Sequence, residues 1–256
     1  MSGRRGPGAK IRLFVAAALK AGAAVPLHPD QAHYAGKVMR LGPGDEVLLF
    51  NGRDGEWRAR IAVLGRKGGE AVARARTRAQ GLEPDAALLF APLKKTALDF
   101  AVEKATELGI AVLQPVLTRR TVVERVNLVR LRARAIEAAE QCGRLTVPEV
   151  RPALALERAL GDWDGTRRLY VADETGGGVP AADAFFGAGP AGRVAFLVGP
   201  EGGFERSELD ALARLPFVTR IALGPRLLRA ETAAIAALAC WQALAGDGRM
   251  LPPPRQ

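Results

Sequence analysis

The sequence has little with which to hold a metal or close a disulfide framework. Its cysteines are two, Cys142 and Cys240, far apart in helix-like stretches; no CxxC pair occurs, and the histidines are His28 and His33. So few soft ligands argue against a zinc site or a cross-linked scaffold, and no metal is expected. A long apolar run is also missing: the basic start Met1 to Lys10 leads only into the short stretch Leu13 to Leu19. No segment has the length of a bilayer span, so the expectation is a cytoplasmic protein with no membrane partner.

What the sequence does have is the material of a folded chain: 256 residues, 48% hydrophobic and 25% charged, enough for one large domain or two modest ones. Its net charge of +10 is unevenly placed. Residues 1–80 carry 15 Lys or Arg against 6 Asp or Glu, and residues 81–256 carry 22 against 21. A positive field confined to the front points to a polyanionic partner met there, because cationic side chains displace counterions from phosphates. A solvated arginine-rich surface would give the same count, and charge alone does not separate the two.

From Ile11 to about Arg78 short β-prone runs alternate with turns: Ile11 to Val15, Glu46 to Phe50, Glu56 to Leu64 and Glu70 to Arg76. Asn51-Gly52-Arg53-Asp54-Gly55 carries hairpin chemistry, since asparagine and glycine accept positive φ. Gly42-Pro43-Gly44-Asp45 is a turn, and His28 to Arg40 reads as one helix between strands. A small β-barrel over 1–80 is the expectation. From 81 onward strands and helices alternate, which predicts an α/β domain with a mostly parallel sheet over 81–256. Its strands are Ala87 to Ala91, Ile110 to Leu117, Arg168 to Ala172, Val194 to Val198 and Val218 to Leu223. Its helices open at Thr96, with Asp99 in capping-box spacing, and run over Asn127 to Cys142, Ser207 to Leu215 and Glu231 to Leu244.

Two strands end in loops of unusual composition. The first is Leu197-Val198-Gly199-Pro200-Glu201-Gly202-Gly203-Phe204; the second runs from Leu223 through Gly224, Pro225, Arg226, Leu227, Leu228, Arg229, Ala230, Glu231 and Thr232 to Ala233. In open α/β sheets the carboxyl ends of strands are where ligands bind, and glycines let backbone amides approach them. The first loop carries neither GxGxxG nor GxxxxGK[ST], so neither phosphate fingerprint applies. A polar turn into a helix would look the same for either loop alone; the pair in one domain is what argues for a site.

Together these loops resemble the SPOUT class of methyltransferases, and more narrowly the RsmE family, which methylates N3 of one uridine in small-subunit ribosomal RNA. The resemblance also covers Lys94-Lys95, Asp99 to Gly109 (DFAVEKATELG), Arg119-Arg120, Glu137 to Arg144 (EAAEQCGR) with Val147-Pro148, Arg12-Leu13-Phe14, and His33 to Asp45 (HYAGKVMRLGPGD). It implies a PUA-like RNA-binding barrel followed by a SPOUT domain with a C-terminal trefoil knot, a feature no pattern of periodicity would propose. It implies S-adenosylmethionine as cofactor, held by Leu197, Val198, Gly199, Pro200, Glu201 and Gly202 and by Leu223, Gly224, Leu227, Leu228, Arg229 and Thr232. Gly202 is taken as the point where backbone meets ligand. Arg229 would stabilise charge developing on the uracil, with Glu201 orienting that arginine or the cofactor; removal of the N3 proton by water or by a side chain stays open. RNA would be met by Arg12, Arg40, Lys94, Lys95, Arg119 and Arg120, the partners being 16S ribosomal RNA in the small subunit and a second copy of the chain. Ala230 stands where the family commonly has threonine, and Glu205 where it has a Ser or Thr cap. The competing expectations are a non-catalytic RNA-binding assembly factor and a SPOUT methyltransferase acting on transfer RNA.

Overall fold

The structure, a computed structural model, describes residues 11–123, 125–186 and 192–251. The basic start Met1 to Lys10, part of the front-loaded charge, lies outside the described residues. The described chain divides into two compact units, residues 11–82 with 139–147, and residues within 83–138 and 148–251.

The first unit is a five-stranded sheet built from β1 (Arg12–Phe14), β2 (Ala24–Leu27), β3 (Glu46–Phe50), β4 (Glu56–Gly65) and β5 (Gly68–Arg78), with the short helix α1 (Pro29–His33) between β2 and β3. Strand order is β1-β3-β4-β5-β2. The first pair is parallel and the others antiparallel. Leu13, Val25, Val47, Leu49, Ala59, Ile61, Ala71 and Ala73 form its buried core. The Asn51 hairpin forms as its composition requires: Gly52 and Gly55 take φ of 79° and 82°. Asn51 Oδ1 accepts the Arg53 and Asp54 amides at 3.0 and 2.9 Å.

Two expectations change here. The single helix over 28–40 is instead α1 followed by a π-helical turn, Tyr34–Val38, in which the Met39 amide donates to the Tyr34 carbonyl. The widened turn brings both Ala35 and Leu41 into the barrel core. Arg12 is the second. Its side chain is 14% exposed and turned inward: Nε meets Glu56 Oε2 at 2.7 Å, Nη1 donates to the Ala139 and Glu140 carbonyls, and Nη2 to that of Arg144. The guanidinium also stacks over the Phe50 ring, 4.4 Å from its centroid. With its donors committed, Arg12 is a structural residue of the barrel rather than a free RNA contact. Arg40 differs: it is exposed and takes φ +55°, in the left-handed region that non-glycine residues seldom adopt.

The second unit contains β6 (Ala86–Phe90), α2 (Lys95–Glu107), β7 (Val112–Leu117), α3 (Leu128–Cys142), whose last turn counts with the first unit, β8 (Glu149–Val150), β9 (Leu154–Ala155) and α4 (Leu156–Gly161). These are followed by β10 (Arg168–Ala172), β11 (Val179–Pro180), α5 (Ala181–Phe186), β12 (Val194–Val198), α6 (Arg206–Ala213), β13 (Val218–Ala222) and α7 (Ala230–Leu244). The sheet runs β11-β13-β10-β12-β6-β7-β8, and every pairing among its described strands is parallel. β6 and β12 are buried at all five positions, as expected of a parallel sheet covered on both faces. On one side α7 buries Ala234, Ala237, Leu238 and Trp241, with the Trp241 ring edge-on to Phe196. Helix α2 begins a residue earlier than expected, with Lys94 rather than a Thr96–Asp99 capping box at its start. Asp99 instead faces Arg130 of α3 at 3.4 Å.

Candidate active site

Because the strands are parallel, their carboxyl ends share one edge of the sheet, and the chain leaves β6, β10, β12 and β13 there. The segments that follow them line one cavity of about 1430 Å³. From the two loops singled out in the sequence, the cavity takes Val198, Gly199, Pro200 and Glu201, and Leu223, Gly224, Leu227, Leu228, Arg229 and Thr232. Lys94 and Lys95, at the start of α2, line it as well.

The first loop is held in shape from several sides. Gly203 takes φ +69° and its amide donates to the Pro200 carbonyl at 2.9 Å, closing a tight turn. A Cβ built at Gly203 would overlap the Glu174 carboxylate, and one at Gly199 would come within 2.9 Å of the buried Phe204 ring. Glu174 Oε1 accepts the Phe204 amide at 2.9 Å, and Arg120 Nη1 donates to the Gly202 carbonyl at 2.9 Å. After Phe204 the chain enters α6 through a capping box: Glu208 Oε2 accepts the Glu205 amide at 2.9 Å. The helix start that lacks a Ser or Thr is therefore satisfied by two glutamates. Glu208 is buried, and its Oε1 accepts the Arg119 amide at 3.0 Å; Arg119 Nη1 lies 3.2 Å from Glu205. Arg119 and Arg120, both exposed, thus lean on this loop.

Two expected positions fall elsewhere. Leu197 is fully buried in the core cluster beneath the sheet edge, so its side chain does not reach the cavity wall. Gly202 is not on that wall, and a Cβ there would meet nothing closer than Arg120 Cβ at 3.7 Å. Gly199 and Gly203 are the glycines of this loop with no room to spare. Glu201 and Arg229 both reach the cavity, yet no ion pair joins them among the described residues.

A third strand-end segment belongs to the site without having been expected there: Asp173, Glu174, Thr175 and Gly176, following β10, also line the cavity. Asp173 has a fully buried side chain whose Oδ1 accepts the Thr175 amide and hydroxyl at 2.8 and 2.6 Å. Its Oδ2 lies 3.3 Å from Arg220 Nη1 and has no hydrogen bond. The sequence does hold a signal for this segment, a buried strand followed by carboxylates and three glycines, Gly176-Gly177-Gly178.

A parallel sheet whose strand-end loops enclose one cavity, preceded by a small barrel, is the architecture of the RNA methyltransferases with a PUA domain. A family model described as the RNA methyltransferase domain matches residues 82–242, and one for the RNA methyltransferase PUA domain matches 27–73. Ribosomal RNA small subunit methyltransferase E of Rickettsia conorii is 33% identical over 232 residues, covering 89% of this chain and 93% of that protein. The Synechocystis protein of the same name is 32% identical over 237 residues, covering 91% and 77%. The crystal structure of ribosomal RNA small subunit methyltransferase E from Neisseria gonorrhoeae, bound to S-adenosyl methionine, superposes with a TM-score of 0.83 at 30% identity, covering 93% of this chain and 98% of that one. The chain belongs to the ribosomal RNA small subunit methyltransferase E family.

Proposed function

We propose that the protein transfers a methyl group from S-adenosylmethionine to N3 of a uridine in small-subunit (16S) ribosomal RNA. The observation that carries this reading is the cavity shared by the loops after β10, β12 and β13, in a chain that aligns over nearly its whole length with relatives of that name. The residues present suit the cofactor. Gly199 and Gly224 leave backbone open to an adenine edge, and Leu223 and Leu228 supply apolar wall. Glu174 and Glu201 are carboxylates for the amino group or sulfonium. When bound, S-adenosylmethionine supplies the electrophilic methyl group.

The chain's own part is positioning and electrostatics. Arg229, exposed at the start of α7, donates to a uracil carbonyl oxygen and stabilises the negative charge that appears there as N3 loses its proton. The same interaction lowers the pKa of the N3 imide and so eases removal of that proton, by water or by a side chain. Glu201 orients Arg229 or the cofactor. In the barrel, Arg40 and the exposed Arg60, Arg66, Lys67, Arg74 and Arg76 form the cationic surface that captures RNA. The reading includes a trefoil knot, supported by the strand order of the second unit and by its family likeness. It also includes a homodimer and a cytoplasmic setting, supported by that likeness alone. Incorporation of labelled methyl into purified small subunits, with transfer RNA in parallel, tests the substrate: label in small-subunit RNA is expected, and label confined to transfer RNA refutes it.

A further inference from the structure

The inward face of α2 is complete without Phe100: Leu98, Ala101, Val102 and Ala105 are buried, while Phe100 lies off that stripe, 45% exposed, and lines the cavity. Helical patterning calls for a polar residue at such a position. Leu227, 81% exposed, lines the same cavity, so two large apolar side chains are open to solvent at one site. The cavity, at about 1430 Å³, is also larger than the roughly 300–1,000 Å³ usual for a small-molecule pocket. Lys94 and Lys95 stand at the same opening, exposed, and neither forms an ion pair among the described residues. Lys104 Nζ lies 6.0 Å from the Phe100 ring and is itself held by Glu103 and Glu107.

We infer that Phe100 is the stacking surface for the RNA base that receives the methyl group, with Leu227 as an apolar neighbour in the same subsite and Lys94 and Lys95 engaging the phosphates on either side. An aromatic face, an apolar side chain and adjacent cations are the means by which proteins hold an unstacked nucleotide. The inference rests on the methyltransferase reading above and assigns its substrate side.

The test uses the full chain with Phe100→Ala and Phe100→Trp, purified small subunits and S-adenosylmethionine. Phe100→Ala is expected to lower single-turnover methyl transfer by about ten- to a hundredfold, the size of one missing base stack, with cofactor affinity by calorimetry within about twofold of wild type. Phe100→Trp is expected to retain transfer, and its added indole fluorescence, above the background of the three native tryptophans, should be quenched by a uridine-containing oligonucleotide. Wild-type transfer by Phe100→Ala would overturn the assignment. So would a parallel loss of cofactor binding, which would place Phe100 in the cofactor pocket, or a change of oligomeric state by light scattering, which would make it part of a subunit interface. No transfer to small subunits by the wild-type protein would instead remove the parent reading, and this one with it.

Discussion

The two units use their arginines in opposite ways. In the barrel, Arg12 is drawn inside to meet Glu56, whose side chain is 5% exposed, and three main-chain carbonyls, while Arg40 stays outside on a left-handed backbone. In the methyltransferase domain, Arg119 and Arg120 brace a glycine loop, and Arg226 and Arg229 stand open at the cavity. A count of charges treats all six alike. The contrast shows that a cation's role depends on whether its donors are already taken by the fold, which divides these residues into those that hold the scaffold and those left to meet a ligand.

The largest effect that would break this division is at Arg12. Without Arg12 the buried Glu56 keeps only Arg78, 3.7 Å away, and the Thr77 hydroxyl, so Arg12→Ala should destabilise the barrel by about 3 kcal/mol in a denaturant titration, the low end for breaking a buried pair. A loss below about 1 kcal/mol would return Arg12 to the surface group.

Next is the braced loop. Gly203→Val places a β-branched residue at φ +69° against the Glu174 carboxylate and should lower S-adenosylmethionine affinity by about tenfold or more. Gly202→Ala, with open space at its Cβ, should leave affinity nearly unchanged. Calorimetry on both variants decides, and equal losses would refute the distinction between these neighbouring glycines.

Arg40→Ala should leave stability within about 0.5 kcal/mol while reducing the slope of log RNA affinity against log salt by roughly 0.7–0.9, the share of a single phosphate neutralised by one arginine. An unchanged slope in a filter-binding series would show that Arg40 only solvates the barrel.

The smallest effect concerns Asp85, at the amino end of β6. Burial raises its carboxyl pKa, but hydrogen bonds from Arg167 and Arg193 outweigh burial and hold it below the ordinary value. A lowered folded pKa gives stability that is present above the unfolded value, about 4, and is lost as pH falls through the folded one. The difference between wild type and Asp85→Asn should therefore be about 1 kcal/mol near neutrality, since Asp85 and Arg193 are about half exposed, and should shrink below about pH 4. A difference that grows on acidification would contradict the sign.

How much of this is legible in the sequence follows from the same physics. Strands β10 and β12 can be read to the residue because buried parallel strands are continuous apolar runs. β2 cannot: Pro26 breaks its pattern, and it survives as an edge strand paired only with β5. β8, β9 and β11 have two residues each and exist only because the sheet offers them a partner. At the site, the glycine–proline loops stand out by composition, whereas the Asp173–Gly176 segment matches no motif, and its signal, carboxylates and glycines after a buried strand, gains meaning once the strands are aligned. The inward turn of Arg12 depends on residues 139–144, more than 120 positions away, and no local pattern carries it.

If the proposed function holds, the strand-end cavity methylates a base of small-subunit RNA. The most direct measurement is mass mapping of nucleosides from small subunits lacking the modification, after incubation with the protein and S-adenosylmethionine. The account predicts a single N3-methyluridine in the small-subunit RNA. A methyl group on a ribose, or unmodified RNA despite bound cofactor, would contradict it.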